Sequence, residues 1–562
     1  MNTIAPTLVL LTFLLPIACF SIYGFWRSTD ESEGNSLDDR FLHASQKTKK
    51  GDISASTVSY MLQISTTFYF IYWGYNYGAS NILYLISWGI GMWLFSLYAP
   101  RLLAVRSSYV TLAGFLSSPF AAPCRRIVGG LIAFFFLGLF YVETSFASDF
   151  LSKLFAQSKT YPETAVWWVF FFALGISVFC YSILGGMRKV VATDKVQLSM
   201  AYVGFAIVFC LLLPNVVARS GLTGILLWII STALYAVLFF YSRGDRSTPL
   251  VRLSLVISLF IIVTAGLFYK PWQGNMSAGV DIEGLFKQLL EPYGWVTLLG
   301  FTLANILWQF ADGSNYQRIA SLELDDLKTE EEKHARIRDL FLGLVVVSPL
   351  TWGFGIILGI FLRASGTVTA ASGEEYVSFL NSLSAGVVAG NSVSLVIAIA
   401  LGTAMSGVML STADSAVLAF FDTTIRDILR TPTLTARRYL WLGLLGFSIV
   451  VGCAMAHRLG GVSSILVVAS AVNALILILA LPAIAYLHGV RFSALALLLT
   501  TSVGFVATGY VTLWPPTSIP FNIQMVLPIL VAVIASVPGV IVAILQGKRQ
   551  QSPDTDVTAA KT

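Results

Sequence analysis

Long apolar runs, broken by short clusters of charged and turn-forming residues, fill the chain from residue 4 to residue 546. A helix needs about 20 apolar residues to cross a hydrocarbon core. On that measure the runs mark fifteen candidate spans: 4–26, 54–76, 79–99, 127–152, 165–185, 196–217, 222–241, 252–269, 294–312, 339–363, 390–424, 438–457, 462–487, 492–512 and 524–546. Backbone amides in lipid must be satisfied within their own segment, so runs of this length predict helices and not strands. The expected fold class is all-α, a polytopic membrane protein. The runs at 127–152 and 390–424 exceed one crossing and must tilt, bend or protrude. Residues 4–26 have no basic segment before them and no small-residue cleavage site after them, which predicts a retained first helix.

The charges between the runs set an orientation. With the N-terminus outside, the inner loops collect about 28 of the 35 Lys and Arg residues, a strong positive-inside bias that also leaves the C-terminus in the cytoplasm. Two polar pieces stand apart. Residues 322–338 (LELDDLKTEEEKHARIR) predict a charged cytoplasmic helix or loop, and 547–562 a tail without periodicity, expected to be disordered.

Composition agrees with this reading. The chain is 56% hydrophobic and 11% charged, where a soluble domain carries about 25% charge. The net charge of +6 reflects topology and not a nucleic-acid footprint. Five scattered cysteines and four histidines show no metal-ligand or redox spacing. No phosphate-binding loop or catalytic triad signature occurs, so an enzyme is not expected and no cofactor is implied. Energy for any transport would come from an ion gradient or a partner.

Polar residues inside the apolar runs are the candidate chemistry, because ionisable groups at membrane depth are costly. Residues 403–415 (TAMSGVMLSTADS) place Ser411 and Thr412 side by side, with Asp414 and Ser415 following. Oxygen-rich clusters of this kind suit a hard cation; the alternative is close packing of small residues. Residues 60–68 (YMLQISTTF) form a polar patch around Gln63, Ser65, Thr66 and Thr67, read evenly as ion-coordinating or packing. Asp194 stands at the start of a span among basic residues, as a buried site or a paired surface carboxylate. Glu143 lies deep in 127–152, as an intramembrane acid or a buried hydrogen-bonding group.

Several stretches carry a resemblance. YSILGGMRKVVATDKVQ (181–197) is similar to the Y-x-x-x-GG-x-x-x-V-x-x-TD-x-x-Q signature of the sodium/solute symporter family. AMSGVMLSTADSAVLAFFDTTIRDILR (404–430) resembles that family's eighth core helix, and NILWQFADGSNYQR (305–318) its sixth. FLHA (41–44) resembles the family's lead into the first core helix, without its Gly and Arg.

The resemblance implies an inverted five-plus-five helix repeat; the helix pair at 222–241 and 252–269 falls between the halves, where the family pattern has a simple connection. The division would be 1–53 (first helix and loop), 54–217 (first repeat), 218–293 (inserted pair), 294–487 (second repeat), 488–546 (two last helices) and 547–562 (tail). It implies Na⁺ as the coupling ion, held by carbonyls of Met61, Ile64 and Val408 and by the hydroxyls of Ser411 and Thr412. A second cation site would involve Asp194, Asp414 and Ser415. Solute contacts would come from Gln63, Thr67, Phe68, Asn305 and Trp308. Phe68 and Leu85 stand where sugar-binding members carry polar groups, which disfavours a sugar. The expected function is cation-coupled transport of a small organic solute across the cytoplasmic membrane. The alternative is a transporter-like receptor that signals through a separate partner at the cytoplasmic loops.

Overall fold

The structure is a computed structural model. It describes residues 48–550 except 106–110, 118–121, 157–162, 244–247, 272–293, 367–374, 431–435, 460–464, 515 and 517, together with scattered residues between 7 and 19. Among the described residues the regular elements are all helical, and the sole extended pairing is an isolated bridge between Thr48 and Leu322.

Thirteen stretches are long and apolar enough to cross a membrane. The first, Ile64–Leu102, holds two successive helices, so it covers parts of the two spans expected at 54–76 and 79–99. The span expected at 4–26 and the stretch at 41–44 lie mostly or wholly outside the described residues.

The first half of the chain runs through α1 (Lys50–Met61), α2 (Ile64–Tyr77), α3 (Ile82–Tyr98), a short α4 (Leu112–Ser117), α5 (Ala122–Ala156) and α6 (Glu163–Arg219). α6 is two spans joined at Gly186, whose φ of 63° is a left-handed turn that glycine adopts without a Cβ clash. Next come α7 (Gly221–Tyr241) and α8 (Pro249–Tyr269). The second half runs through α9 (Gly294–Ala311), α10 (Gly313–Ser321), α11 (Glu330–Ser365), α12 (Glu375–Val388), α13 (Ser392–Thr423), α14 (Ala436–Leu459), α15 (Ile465–Leu477) and α16 (Ala480–Leu487). α17 (Ala494–Leu513) and α18 (Phe521–Gln550) close the bundle. α18 continues about one turn into the stretch at 547–562 that the sequence leaves without periodicity.

Each half opens on a helix interrupted in mid-course, α1/α2 in the first and α9/α10 in the second. The charged loop before α11 ends in a capping box. Thr329 accepts from the Glu332 amide, and the Glu332 side chain accepts from the Thr329 amide.

Burial sorts the spans. The apolar window of the α5 span is 83% buried, and those of the α7 and α8 spans only 33% and 39%. α7 and α8 therefore lie on the periphery. Tyr235 of α7 donates to the Tyr202 carbonyl over 2.6 Å, and Cys210 lies 3.5 Å from the Ile261 carbonyl of α8, so the pair leans on the second span of α6. The opposite faces present Phe260 and Phe268, the outward apolar surface expected of lipid-facing helices.

α6 and α13 cross at close quarters. A Cβ added at Gly407 would meet the Gln197 carbonyl at 2.6 Å, and one added at Gly204 would meet the Ala400 carbonyl at 2.6 Å. Glycine at these positions lets the two backbones approach. That approach brings Asp194 to the polar face of α13.

Candidate functional site

The gap between α1 and α2 falls at Leu62 and Gln63, with no glycine or proline to cause it. A broken helix leaves orphan carbonyls on one side and orphan amides on the other. At membrane depth each must find a partner. Here partners arrive from three other helices. The Tyr60 carbonyl accepts from the Thr412 hydroxyl of α13 over 3.0 Å, and the Met61 carbonyl accepts from the Trp352 indole of α11 over 2.7 Å. The Leu62 and Gln63 carbonyls accept from the Thr67 hydroxyl over 3.3 and 2.9 Å. On the amide side Glu143 of α5 accepts from the Ile64 and Ser65 amides over 2.7 and 3.3 Å and from the Ser65 hydroxyl over 2.5 Å. Glu143 is thus the buried cap of α2.

The expected cation ligands divide into two neighbouring groups. Thr412 faces the break and is also 3.3 Å from the Val408 carbonyl of its own helix. Ser411 points elsewhere and donates to Asp194 over 2.5 Å. The other oxygen of that carboxylate accepts from Ser56 of α1, also over 2.5 Å. Asp194 therefore ties α6 to both α1 and α13. Asp414 and Ser415 lie on the same helix, fully or nearly buried, and neither Asp414 carboxylate oxygen nor the Ser415 hydroxyl has a hydrogen-bond partner among the described residues. Ile64 meets the site through its amide, and Met61 through a carbonyl that the Trp352 indole already occupies.

The second break, between α9 and α10, is built differently. Asp312 leaves helical geometry and its side chain accepts from the Ser314 amide over 2.9 Å, an ordinary N-cap. The same carboxylate accepts from the Trp308 indole over 3.3 Å and from the Tyr60 hydroxyl over 3.4 Å. Arg318 of α10, only 1% exposed, lies 4.6 Å above the Tyr60 ring and donates to the Ser56 carbonyl over 3.4 Å. The two interrupted helices meet at Tyr60.

Above this junction lies a cavity with about 670 Å³ of empty space, its mouth included. α2 contributes Gln63, Thr66, Tyr69, Phe70 and Trp73; α3 contributes Tyr84 and Trp88. From the second half come Phe301, Ala304, Asn305 and Trp308 of α9, Trp352 of α11, and Ser470, Asn473 and Leu477 of α15. Of the five solute-contact residues expected from sequence, Gln63, Asn305 and Trp308 line it. Thr67 is turned to its own backbone, and Phe68 stacks on Phe146 of α5 with ring centroids 5.4 Å apart. Neither lines the cavity, because successive residues on a helix face different sides.

Sequence reasoning did not single out Ser56, Tyr60, Asp312, Arg318 or Trp352. The Asp312 cap was visible as Asp-Gly-Ser following an apolar run. Ser56, Tyr60 and Trp352 carry no local signal, since their roles depend on partners distant in sequence.

No protein-family model matches the chain, and no curated protein matches it. Solved structures do. A Na⁺-coupled sialic acid symporter, captured substrate-bound and outward-open with a novel Na⁺ site, is 16% identical; the match covers 96% of this chain and 97% of that one with a TM-score of 0.54. A nucleobase-cation-symport-1 family transporter, closed with bromovinylhydantoin bound, is 12% identical over 90% of this chain and 95% of that one, with a TM-score of 0.43. The chain shares the polytopic inverted-repeat fold of the first.

Proposed function

We propose that this protein is a Na⁺-coupled secondary transporter of a small organic solute in the cytoplasmic membrane, its N-terminus outside and its C-terminus inside. One observation carries the reading: beside an uncharged cavity, the broken α1/α2 helix brings its Tyr60 carbonyl within 3.0 Å of the Thr412 hydroxyl. Interrupted helices beside mid-membrane cavities are where transporters hold ions and solutes. Tyr60 O, Val408 O and Thr412 Oγ1 form a cluster of hard oxygen ligands. A cation entering there would take the place of the Thr412 hydrogen bond. A second cation would find Asp194, Ser411 and Ser56 next to it, with the unpartnered Asp414 and Ser415 on the same helix. The Na⁺ coupling of the sialic acid symporter that shares this fold supports the choice of ion.

Binding and uptake in proteoliposomes across a Na⁺ titration test the proposal. A hydrogen bond to a charged group is worth about 1.5–3 kcal/mol. On that scale Thr412→Ala should weaken Na⁺ affinity about ten- to a hundredfold, while Thr412→Ser, which keeps the oxygen, should be milder. Solute affinity should fall with it, because coupling between two sites is reciprocal. An unchanged Na⁺ dependence in correctly inserted Thr412→Ala and Ser411→Ala proteins would remove the assignment.

A further inference from the structure

The charge and lining of the cavity restrict the solute beyond "small and organic", on the reading above that this cavity is the solute site. Among its lining residues there is no Lys, Arg or His, and no Asp or Glu. Its walls are aromatic. On one side Phe70, Trp352 and Trp88 pack in sequence, with centroids 5.1 and 4.0 Å apart. On the other, Phe301 is ringed by Tyr69, Trp73 and Tyr84 at 5.8, 5.5 and 5.6 Å.

Six residues of this lining spend hydrogen-bond donors on the protein itself. The Trp88 indole donates to Ser348, the Trp352 indole to the Met61 carbonyl and the Trp308 indole to Asp312. The Asn305 amide donates to the Tyr84 carbonyl and to Ser87, and the Thr66 hydroxyl to Gln63. The Tyr69 hydroxyl donates to the Leu466 carbonyl. Among the acceptors of the lining, the side-chain oxygen of Asn473 is buried without a partner.

The usual dock for an anionic solute is also taken. In a broken-helix transporter the positive N-terminus of a half-helix can face a substrate carboxylate. Here the N-terminus of α2 is already filled by Glu143, which accepts from both of its first amides. A second carboxylate there would find both of those amides already taken.

We infer that the cavity binds a small organic cation of the quaternary or tertiary ammonium class, through the π faces of its aromatic walls, and rejects solutes whose binding depends on a carboxylate. The negative face of an aromatic ring attracts such a cation, and desolvation strengthens the attraction. The charge costs little hydrogen-bonding on transfer, because a quaternary ammonium has no N–H to satisfy.

Equilibrium binding to the purified full-length chain in detergent, with and without Na⁺, tests this. The probes are choline, its neutral isostere 3,3-dimethyl-1-butanol, tetramethylammonium and N-acetylneuraminate. Choline should bind at least about tenfold more tightly than the isostere, a difference of about 1.4 kcal/mol. N-acetylneuraminate should not compete. Phe301→Leu should erase most of the preference for choline over the isostere, and Phe301→Tyr, which keeps a π face, should retain it. A neutral isostere or an anion that binds as well as choline overturns the inference, as does a panel in which no probe binds. Failure of the transport reading looks different: choline would bind with the stated preference, indifferent to Na⁺.

Discussion

Glu143 offers the most direct test of how the interrupted helix is held. It is fully buried and accepts three hydrogen bonds across the break, from the Ile64 and Ser65 amides and the Ser65 hydroxyl. Glu143→Ala would leave both amides facing a void. A buried donor left unsatisfied costs about 1–3 kcal/mol, so two cost about 2–6 kcal/mol. Glu143→Gln keeps the shape and one carbonyl oxygen, but it turns an NH₂ group toward a donor. That forfeits at least one of the accepted bonds, worth about 0.5–1.5 kcal/mol. The expected order of thermal stability in detergent is wild type, then Gln, then Ala, with Ala at least about 2 kcal/mol below wild type. Cysteine-accessibility labelling at Thr66, on the first turn of α2 and at the cavity wall, should rise in the same order as that turn frays. Equal stability and equal labelling in all three proteins would refute the capping role and leave the break to the Trp352 and Thr412 bonds.

Trp352→Phe keeps an aromatic ring but frees the Met61 carbonyl; melting of the purified protein should show a loss of about 1–3 kcal/mol, and an unchanged midpoint would mean another donor serves that carbonyl. Asp427 binds Arg125 over 2.7 Å and Thr111 over 2.8 Å, so Asp427→Ala should cost about 3 kcal/mol, the low end for breaking a buried pair because Arg125 is 17% exposed; denaturation that matches wild type would count against it. Tyr60→Phe removes only the 3.4 Å bond to Asp312 and leaves the Tyr60 carbonyl in place. Stability should change by no more than about 1 kcal/mol, whereas the Na⁺ dependence of solute affinity should weaken, and an intact dependence would show that the two breaks are coupled by some other contact.

The helical, many-spanning architecture was legible because it rests on a one-dimensional property, the length of apolar runs. The presence of Asp194 and Asp414 inside apolar runs was legible for a similar reason, since charge at membrane depth stands out wherever it falls. Three features were not legible. The first was the break at Leu62 and Gln63. The local sequence carries no helix breaker, and the interruption is held by groups from three other helices: Glu143, Trp352 and Thr412. The second was the direction of side chains on α2. Gln63 and Thr67 belong to one polar patch in sequence, yet the half-helix that starts at Ile64 sends one to the cavity and the other to the backbone. The third was the division of Ser411 and Thr412 between different partners. Adjacent residues on a helix point about 100° apart, so two neighbouring hydroxyls meet one point only where the helices around them converge. Here Ser411 meets a carboxylate from α6 and Thr412 a carbonyl from α1.

These three features share a cause, their dependence on partners distant in sequence. A break made by glycine or proline persists whatever its neighbours do, because it is written into the backbone. A break held open by side chains from other helices exists only while those helices stay in place. The Tyr60 carbonyl, the Met61 carbonyl and the Ile64 amide are satisfied by α13, α11 and α5 in turn. Sliding any of these relative to α1 and α2 would expose a buried polar group, at a cost of about 1–3 kcal/mol each. A bound cation would offset that cost at the carbonyls by taking over as their partner. On the proposed function, ion binding and helix arrangement would be coupled through the same atoms, and the lack of a local sequence signal at the break follows from its dependence on remote partners.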